Sequence, residues 1–342
     1  MIIEGTVLRG PDFTPVEGRV VCEDGRIVAI EEEPVESGRI VLPSFINAHT
    51  HIGDSIAKEA GRDLTLEELV APPDGLKHRL LRESSREEMV GAIRESIRFM
   101  RSGGVTAFVD FREGGADGVA VLREAAAGLP IDAFAMGRDE LRALEAGDGY
   151  GASGAADADF TRERAAAREA SKPFGIHAGE NRTDDIDPAL ALEPDYLVHM
   201  VNANTEQLAR VGDQGIPVVV CPRANLVTNV GLPPIEELVE RTTVALGTDN
   251  VMLNSPSMFR EMEFAAKFTN LDSRDVLAMA TRAGAELMGV DAGTIEKGRE
   301  ARLLVLDGGS DNLSGVRDPV RAVVRRAGMA DVVRTTHPAQ HS

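Results

Sequence analysis

Lysine is nearly missing from this chain. Of the 37 basic residues among its 342, only five are Lys, at 58, 77, 172, 267 and 297, and they face 56 Asp and Glu. The formal net charge of −19 argues against nucleic acid as a partner, because a phosphate backbone needs basic patches to neutralise it. An acidic, Lys-poor, Arg- and Ala-rich surface instead fits solubility in brine, so a halophilic source is expected. Acidic runs such as "EEEPVE" (31–36) read as a solvated face. Cysteine is equally scarce: Cys22 and Cys221 cannot build a disulfide framework and read as small buried hydrophobes. No apolar run approaches the roughly 20 residues of a membrane span. "MIIEGTVLRGPDF" has neither the basic start nor the apolar core of a leader, so a cytoplasmic protein without membrane contact is expected. An apolar content of 43% is ample for the core of one large domain or two smaller ones.

The chain divides by pattern. Residues 1–39 read as short strands and turns, with "GRVVCEDGRIVAIEEE" as two β-rich runs joined at Asp24-Gly25, a hairpin signal. From residue 40 strands alternate with helices, and strand candidates fall at 40–47, 105–110, 131–136, 149–153, 174–178, 195–199, 216–221 and 243–248. Between them "SREEMVGAIRESIRFMRSGG" (85–104) has a capping box at Ser85 and Glu88 and a stop at Gly103. Shorter helices are predicted at 161–172 and 204–215. Eight strand–helix units over 40–291 fit a (β/α)8 TIM barrel; a doubly wound open sheet is the alternative. The absence of G-x-G-x-x-G after the first strand weakens a dinucleotide reading of that alternative. The tail returns to short strands, so 1–39 and 292–342 are expected to pair into one small β-sandwich domain beside the barrel. Residues 52–83 form a long insert of the kind that carries function or a lid.

Four of the seven histidines fall at predicted strand C-termini. His49 and His51, in "LPSFINAHTHIGDS", share one face of the first strand, because alternate residues of a strand point the same way. His177 ends the fifth strand in "FGIHAGE", His199 the sixth in "DYLVHM", and Asp249 the eighth in "VALGTDN". A parallel barrel gathers all strand C-termini on its catalytic face, so these residues converge. Imidazoles with a carboxylate suit a borderline divalent ion, Zn2+ first and Fe2+ or Mn2+ as alternatives. An open position on such an ion lowers the pKa of a bound water toward neutrality, producing hydroxide at working pH. Glu180, three residues past His177, is placed where the chain can turn back and supply the proton acceptor.

These residues resemble the amidohydrolase superfamily. "LPSFINAHTH" is similar to its first-strand signature, and "HAGE" to the H-A-x-E of its cytosine deaminase and chlorohydrolase branch. "VVVCPRANL" resembles the branch's seventh-strand C-P-x-S-N, and "ALGTDNVMLNSPSMFREM" its eighth-strand segment. "MATRAGAELMGVDAGTIEKGREARLLVLD" resembles the closing helix and the return to the β-domain. The resemblance implies that His49, His51, His177 and Asp249 bind one metal. It implies that Glu180 carries a proton from water to the substrate nitrogen, that His199 polarises the group under attack, and that Asp249 also accepts a hydrogen bond from the hydroxide.

The chain departs from the pattern in three places. Ala224 replaces the serine of the seventh-strand motif, and the interval from His177 to His199 is short. The fourth strand reads "GYGASG" and lacks the lysine that bridges two metals in other members, while Lys172 precedes the fifth strand beside Pro173; one metal is therefore expected. For the pocket, "FREGG" offers Arg112 and Glu113, "GRD" offers Arg138, and the insert offers Lys77 and His78. Convergence of several of these bases would imply a carboxylate or phosphate on the substrate. Met252 and Phe259 are candidate apolar walls, and His337 and His341 are expected in a disordered tail. The predicted activity is hydrolytic deamination of a cyclic amidine, as in a pyrimidine or purine. The alternatives are hydrolysis of an exocyclic or acyl C–N bond, deacetylase-like, or a non-catalytic metal-binding relative. The expected partner is a small molecule, with a homo-oligomer left open.

Overall fold

The computed structural model describes residues 1–61, 63–65, 68–69 and 74–338. Among these residues fifteen strands form two sheets. The first sheet takes its strands from both chain ends: β1 (Ile2–Arg9), β2 (Thr14–Glu23), β3 (Arg26–Glu32), β4 (Arg39–Pro43), β14 (Leu303–Asp307) and β15 (Val332–Thr335), in the order β15-β14-β4-β1-β2-β3. Asp24 and Gly25 make the expected two-residue hairpin, with φ of 47° and 73°, the left-handed pair that a type I′ turn requires. Alternation decides what each face buries. Ile40, Leu42, Leu304 and Leu306 join the main core, while Val41, Leu303 and Val305 point the other way into a smaller cluster with Val7, Val20 and Ile27. The chain ends therefore do pair, but in a single sheet. Among the described residues no second strand layer makes the expected sandwich.

The second sheet is parallel throughout. It contains β5 (Phe45–His51), β6 (Val105–Arg112), β7 (Asp132–Gly137), β8 (Gly149–Gly154), β9 (Phe174–Ala178), β10 (Tyr196–His199), β11 (Val218–Val220), β12 (Val244–Leu246) and β13 (Asp249–Asn250), in the order β12-β11-β10-β9-β8-β7-β6-β5-β13. Its two edges are consecutive pieces of one stretch of chain. β12 pairs with β11, and after Gly247 and Thr248 β13 pairs with Thr50 and His51 of β5. That is how a parallel sheet curls until its ends meet. Asn47 secures the junction: its Nδ2 donates to Thr248 Oγ1 at 2.8 Å and its Oδ1 accepts from Thr248 N at 3.0 Å.

The expected strand at 40–47 is in fact two. Pro43 ends β4, having no N–H to continue a ladder, and β5 starts at Phe45 in the other sheet, carrying both His49 and His51. The strand candidate at 149–153, "GYGAS", is β8. The helix Arg86–Ser102 has its capping box at Ser85 and Glu88 and stops at Gly103. The helix Thr205–Gln214 carries a second box, Asn204 with Gln207, ahead of Gly215 at φ 63°. His337 does not belong to a disordered tail: it is buried, with Nε2 3.1 Å from the Arg302 guanidinium and 3.4 Å from Asp132 Oδ1. His341 lies outside the described residues. No helix among the described residues is long and apolar enough to cross a membrane.

Gly247 makes the closure tight. A Cβ there would stand 2.7 Å from His49 Cβ and 2.9 Å from its backbone N. Gly247→Ala is expected to cost about 1–3 kcal/mol of stability by overpacking, read from urea unfolding. Stability within a few tenths of wild type would mean that the junction is slack.

Candidate metal centre and active site

Strand periodicity puts His49 and His51 on the inner face of β5, while Thr50 between them turns outward and donates to the Val109 carbonyl at 2.8 Å. His177 enters from β9 and Asp249 from β13. The Nε2 atoms of His51 and His177 are 3.2 Å apart, and those of His177 and His49 are 3.3 Å apart. Asp249 Oδ1 lies 3.4 Å from His49 Nε2 and 3.7 Å from His51 Nε2. The far side of two rings sets their tautomers. His177 Nδ1 is 2.9 Å from the Ala152 carbonyl and must donate to it, and His51 Nδ1 is 2.8 Å from a Glu113 carboxylate oxygen. Both Nε2 atoms are then bare lone pairs facing each other, an arrangement that a shared cation resolves.

The donor set fits such an ion. Ligands at 2.0–2.1 Å from a tetrahedral zinc stand about 3.3–3.4 Å from one another, close to the separations here. His49 Nδ1 is buried with no hydrogen-bond partner among the described residues. Burial and then the Lys77 charge push the His51 pKa down to about 3, and burial with the neighbouring rings pushes His177 well below its ordinary value. Burial also lowers His49. Three neutral imidazoles are the form in which histidine ligates. Burial opposes ionisation of Asp249, but the His49 hydrogen bond and the other rings outweigh it and hold this carboxyl far below the usual range. Asp249 and His199 both sit in left-handed backbone, at φ 58° and 81°, a strain typical of residues held for function.

Glu180 and His199 stand beside this cluster. Gly179, at φ 66°, turns the chain back after β9, and the Glu180 carbonyl accepts from Asn202 Nδ2 at 2.8 Å. Glu180 Oε2 then lies 3.7 Å from His199 Nε2, and oxygens of Glu180 and Asp249 with a nitrogen of His199 fall within 4.8 Å of one another. Burial raises the Glu180 pKa, although His199 pulls against it. His199 Nδ1 is 3.1 Å from the Asn225 amide nitrogen, which donates to it and leaves Nε2–H turned toward Glu180. Asn225 lies within "CPRANL", but nothing in the sequence assigned it this task.

A cavity of about 410 Å³ opens over the cluster, and Lys77, His78, Glu113 and Arg138 line it together with Glu180 and His199. Arg112 does not. Phe111 packs its ring 4.7 Å from His49 and 5.0 Å from His177, so the next residue of β6 must face away. The Arg112 guanidinium accordingly fills the space beside Gly53, 4.0 Å from Asp110. Glu113 returns to the site and gathers its bases: Lys77 Nζ at 2.7 Å and an Arg138 nitrogen at 3.3 Å. Lys77 also contacts Asp54 Oδ2 at 3.0 Å, and burial lifts the Asp54 pKa to about 7 against that attraction. Met252 and Phe259 belong to the core, and Leu253 lines the cavity instead. Sequence reading also missed Asp157 and Asp185. Both hold oxygens 3.5 Å from where a Gly154 Cβ would stand, next to His177 in the sheet.

Residues 40–181 and 165–337 match the amidohydrolase family. A protein of Methanothermobacter thermautotrophicus that carries the name aminohydrolase is 36% identical, over 97% of this chain and 96% of its own. A 5-methylthioadenosine/S-adenosylhomocysteine deaminase of Halobacterium salinarum is 28% identical, over 97% of this chain and 90% of its own. The zinc-bound adenosine deaminase of Xanthomonas campestris shares the fold with a TM-score of 0.77 at 20% identity, covering 98% of this chain and 91% of that one. An atrazine chlorohydrolase from Arthrobacter aurescens complexed with zinc gives 0.83 at 20% identity, covering 99% and 94%.

Behind the site, burial raises Glu261 to a pKa of about 8, although the Arg223 guanidinium is 3.4 Å away. The unfolded carboxyl loses its proton near 4.5, so the folded state holds an extra proton between there and about 8. Stability contributed by that proton is lost as pH rises through this window. Glu261→Gln removes the dependence. Wild-type stability should fall relative to this variant by about 1 kcal/mol or more between pH 5 and pH 8, measured by urea unfolding. Parallel profiles would place the Glu261 pKa near its ordinary value.

Proposed function

The chain belongs to the amidohydrolase family, and from that membership we propose a mononuclear, zinc-dependent deaminase that releases ammonia from an aminated heterocycle. The observation that carries this reading is the convergence of three Nε2 atoms and Asp249 Oδ1, with Glu180 and His199 poised beside them. His49, His51, His177 and Asp249 would hold the ion. When bound, it supplies the Lewis acidity that makes water a nucleophile near neutral pH.

The chain's own residues do the proton work. Glu180 accepts a proton from the attacking water and delivers it to the ring nitrogen of the amidine. Its raised pKa suits both directions of transfer. The oxygen of water bonds to the ring carbon; its second proton passes from the hydroxyl now on that carbon to the amino group, the exocyclic C–N bond breaks, and ammonia leaves a ring carbonyl behind. His199 donates from Nε2 to the oxygen under formation, held in that tautomer by Asn225. Asp249 accepts a hydrogen bond from the water and so aims its lone pair at the carbon.

The substrate reading narrows to a purine, supported by the names of the Halobacterium relative and of the Xanthomonas fold neighbour. An anionic substrate is disfavoured, because the charged bases that line the cavity are already paired: Lys77 and Arg138 with Glu113, and Arg182 with Asp184. Asp157 and Asp185 at the rim suit a group that presents hydrogen-bond donors. Residues 1–39 with 292–342, joined in the same sheet by β4 (Arg39–Pro43), would serve as a supporting β-domain, and the rest of 40–291 as the catalytic barrel. The net charge of −19 supports a cytoplasm rich in salt.

Metal analysis of the purified protein should give close to one equivalent, and two tightly held ions both needed for activity would overturn the mononuclear site. Glu180→Gln keeps size and polarity but cannot take the proton. It should retain near-normal metal and lose at least about a hundredfold in kcat for ammonia release across a panel of aminopurines and aminopyrimidines. His177→Ala should instead lose the metal. Full activity in Glu180→Gln would sink the mechanism, and loss of metal there would make Glu180 a ligand.

A further inference from the structure

The helix Leu76–Glu83 belongs to the insert after β5, yet its Lys77 reaches the floor of the site. Lys77 is almost wholly buried, with 5% of its side chain exposed, between two carboxylates that are buried as deeply: Asp54 Oδ2 at 3.0 Å and Glu113 Oε1 at 2.7 Å. The same Glu113 oxygen is 2.8 Å from His51 Nδ1. Asp54 follows His51 by three residues, in the turn Ile52–Ala57. Three contacts and the stretch of backbone from Asp54 back to His51 therefore close a ring through Glu113 and Lys77. A buried lysine in a chain with only five is kept at a cost, since it and the two carboxyl groups that face it have been taken out of water, with Arg138, 3.3 Å from Glu113, as the other base beside them.

The ring has a definite mechanical sense. His51 presents Nε2 to the other ligands only while its Nδ1 is held by Glu113. Glu113 keeps that pose because Lys77, at 2.7 Å the nearer of its two bases with Arg138 at 3.3 Å, neutralises it and pins the oxygen that faces His51. Without Lys77, two buried carboxylates would be left near each other, and water entering to solvate them would free Glu113 to turn from the imidazole. Partners that orient a ligating histidine typically change metal affinity by about 10–100-fold.

We propose that Lys77 is a positioning residue that couples the docking of the helix Leu76–Glu83 to the metal-binding pose of His51. The inference rests on the reading that His51 is a ligand and goes beyond it. Coupling between two equilibria is reciprocal, so a bound ion must also hold the helix down.

The test uses the full chain and zinc alone. Zinc affinity, measured by competition with a chromogenic chelator, should fall by about 10–100-fold in Lys77→Met. Amide hydrogen exchange across residues 76–83 of the wild type should slow by at least about fivefold on adding zinc. In Lys77→Met that zinc-dependent slowing should vanish, which a merely structural lysine would not produce. Where Lys77→Met does not fold, the wild-type exchange measurement decides by itself. Wild type that binds zinc while its helix exchanges at one rate with and without the ion overturns the coupling and leaves the metal site standing. Equal zinc affinity in folded Lys77→Met does the same. Wild type that binds no zinc overturns both.

Discussion

Two imidazole nitrogens with no proton between them, 3.2 Å apart in a buried site, repel unless something positive joins them. Much of the chemistry-bearing architecture follows from making that juxtaposition unavoidable. The Ala152 carbonyl and the Glu113 carboxylate fix the outer nitrogens of His177 and His51, so neither ring can escape by changing tautomer. Phe111 presses on His49 and His177 and removes the room to rotate away. Asp249 is held in left-handed backbone so that its carboxylate faces the same point. The fold accepts strain and buried charge to keep four donor atoms together.

The parallel sheet brings these groups together from strands up to 200 residues apart in sequence. Their place at the strand C-termini leaves them under loops, where the insert and the turn at Gly179 can add groups without disturbing the ladder. Glu180 and Lys77 come from such segments. One lies beside His199 and the other reaches down onto Glu113, although both enter one cavity.

How much of this was legible depends on whether local pattern or long-range packing decided each residue. Period two placed His49 and His51 on one face, and strand ends placed His177, His199 and Asp249, because those signals are local. The capping box at Ser85 and Glu88 was legible for the same reason. Arg112 was misplaced although parity was available: if Phe111 or Glu113 faces the site, Arg112 cannot. The split at Ser44 was hidden because one continuous apolar run served two sheets. His337 looked like tail because its partners, Arg302 and Asp132, lie 35 and about 200 residues away and no local pattern announces them. Asn225 was invisible as a support for His199, since an amide in a motif does not say which ring it holds.

The sheet built from both chain ends bears on how the molecule is made. β4 has one neighbour, β1, from the first 43 residues, and its other neighbour, β14, is not complete until residue 307. The first parallel strand likewise waits for Asp249 and Asn250. During synthesis the ribosome therefore releases two unpaired edges at the outset, and each remains open while most of the chain is translated. Such edges template intermolecular pairing. The net charge of −19 opposes such pairing during that interval, because copies of so acidic a chain repel one another.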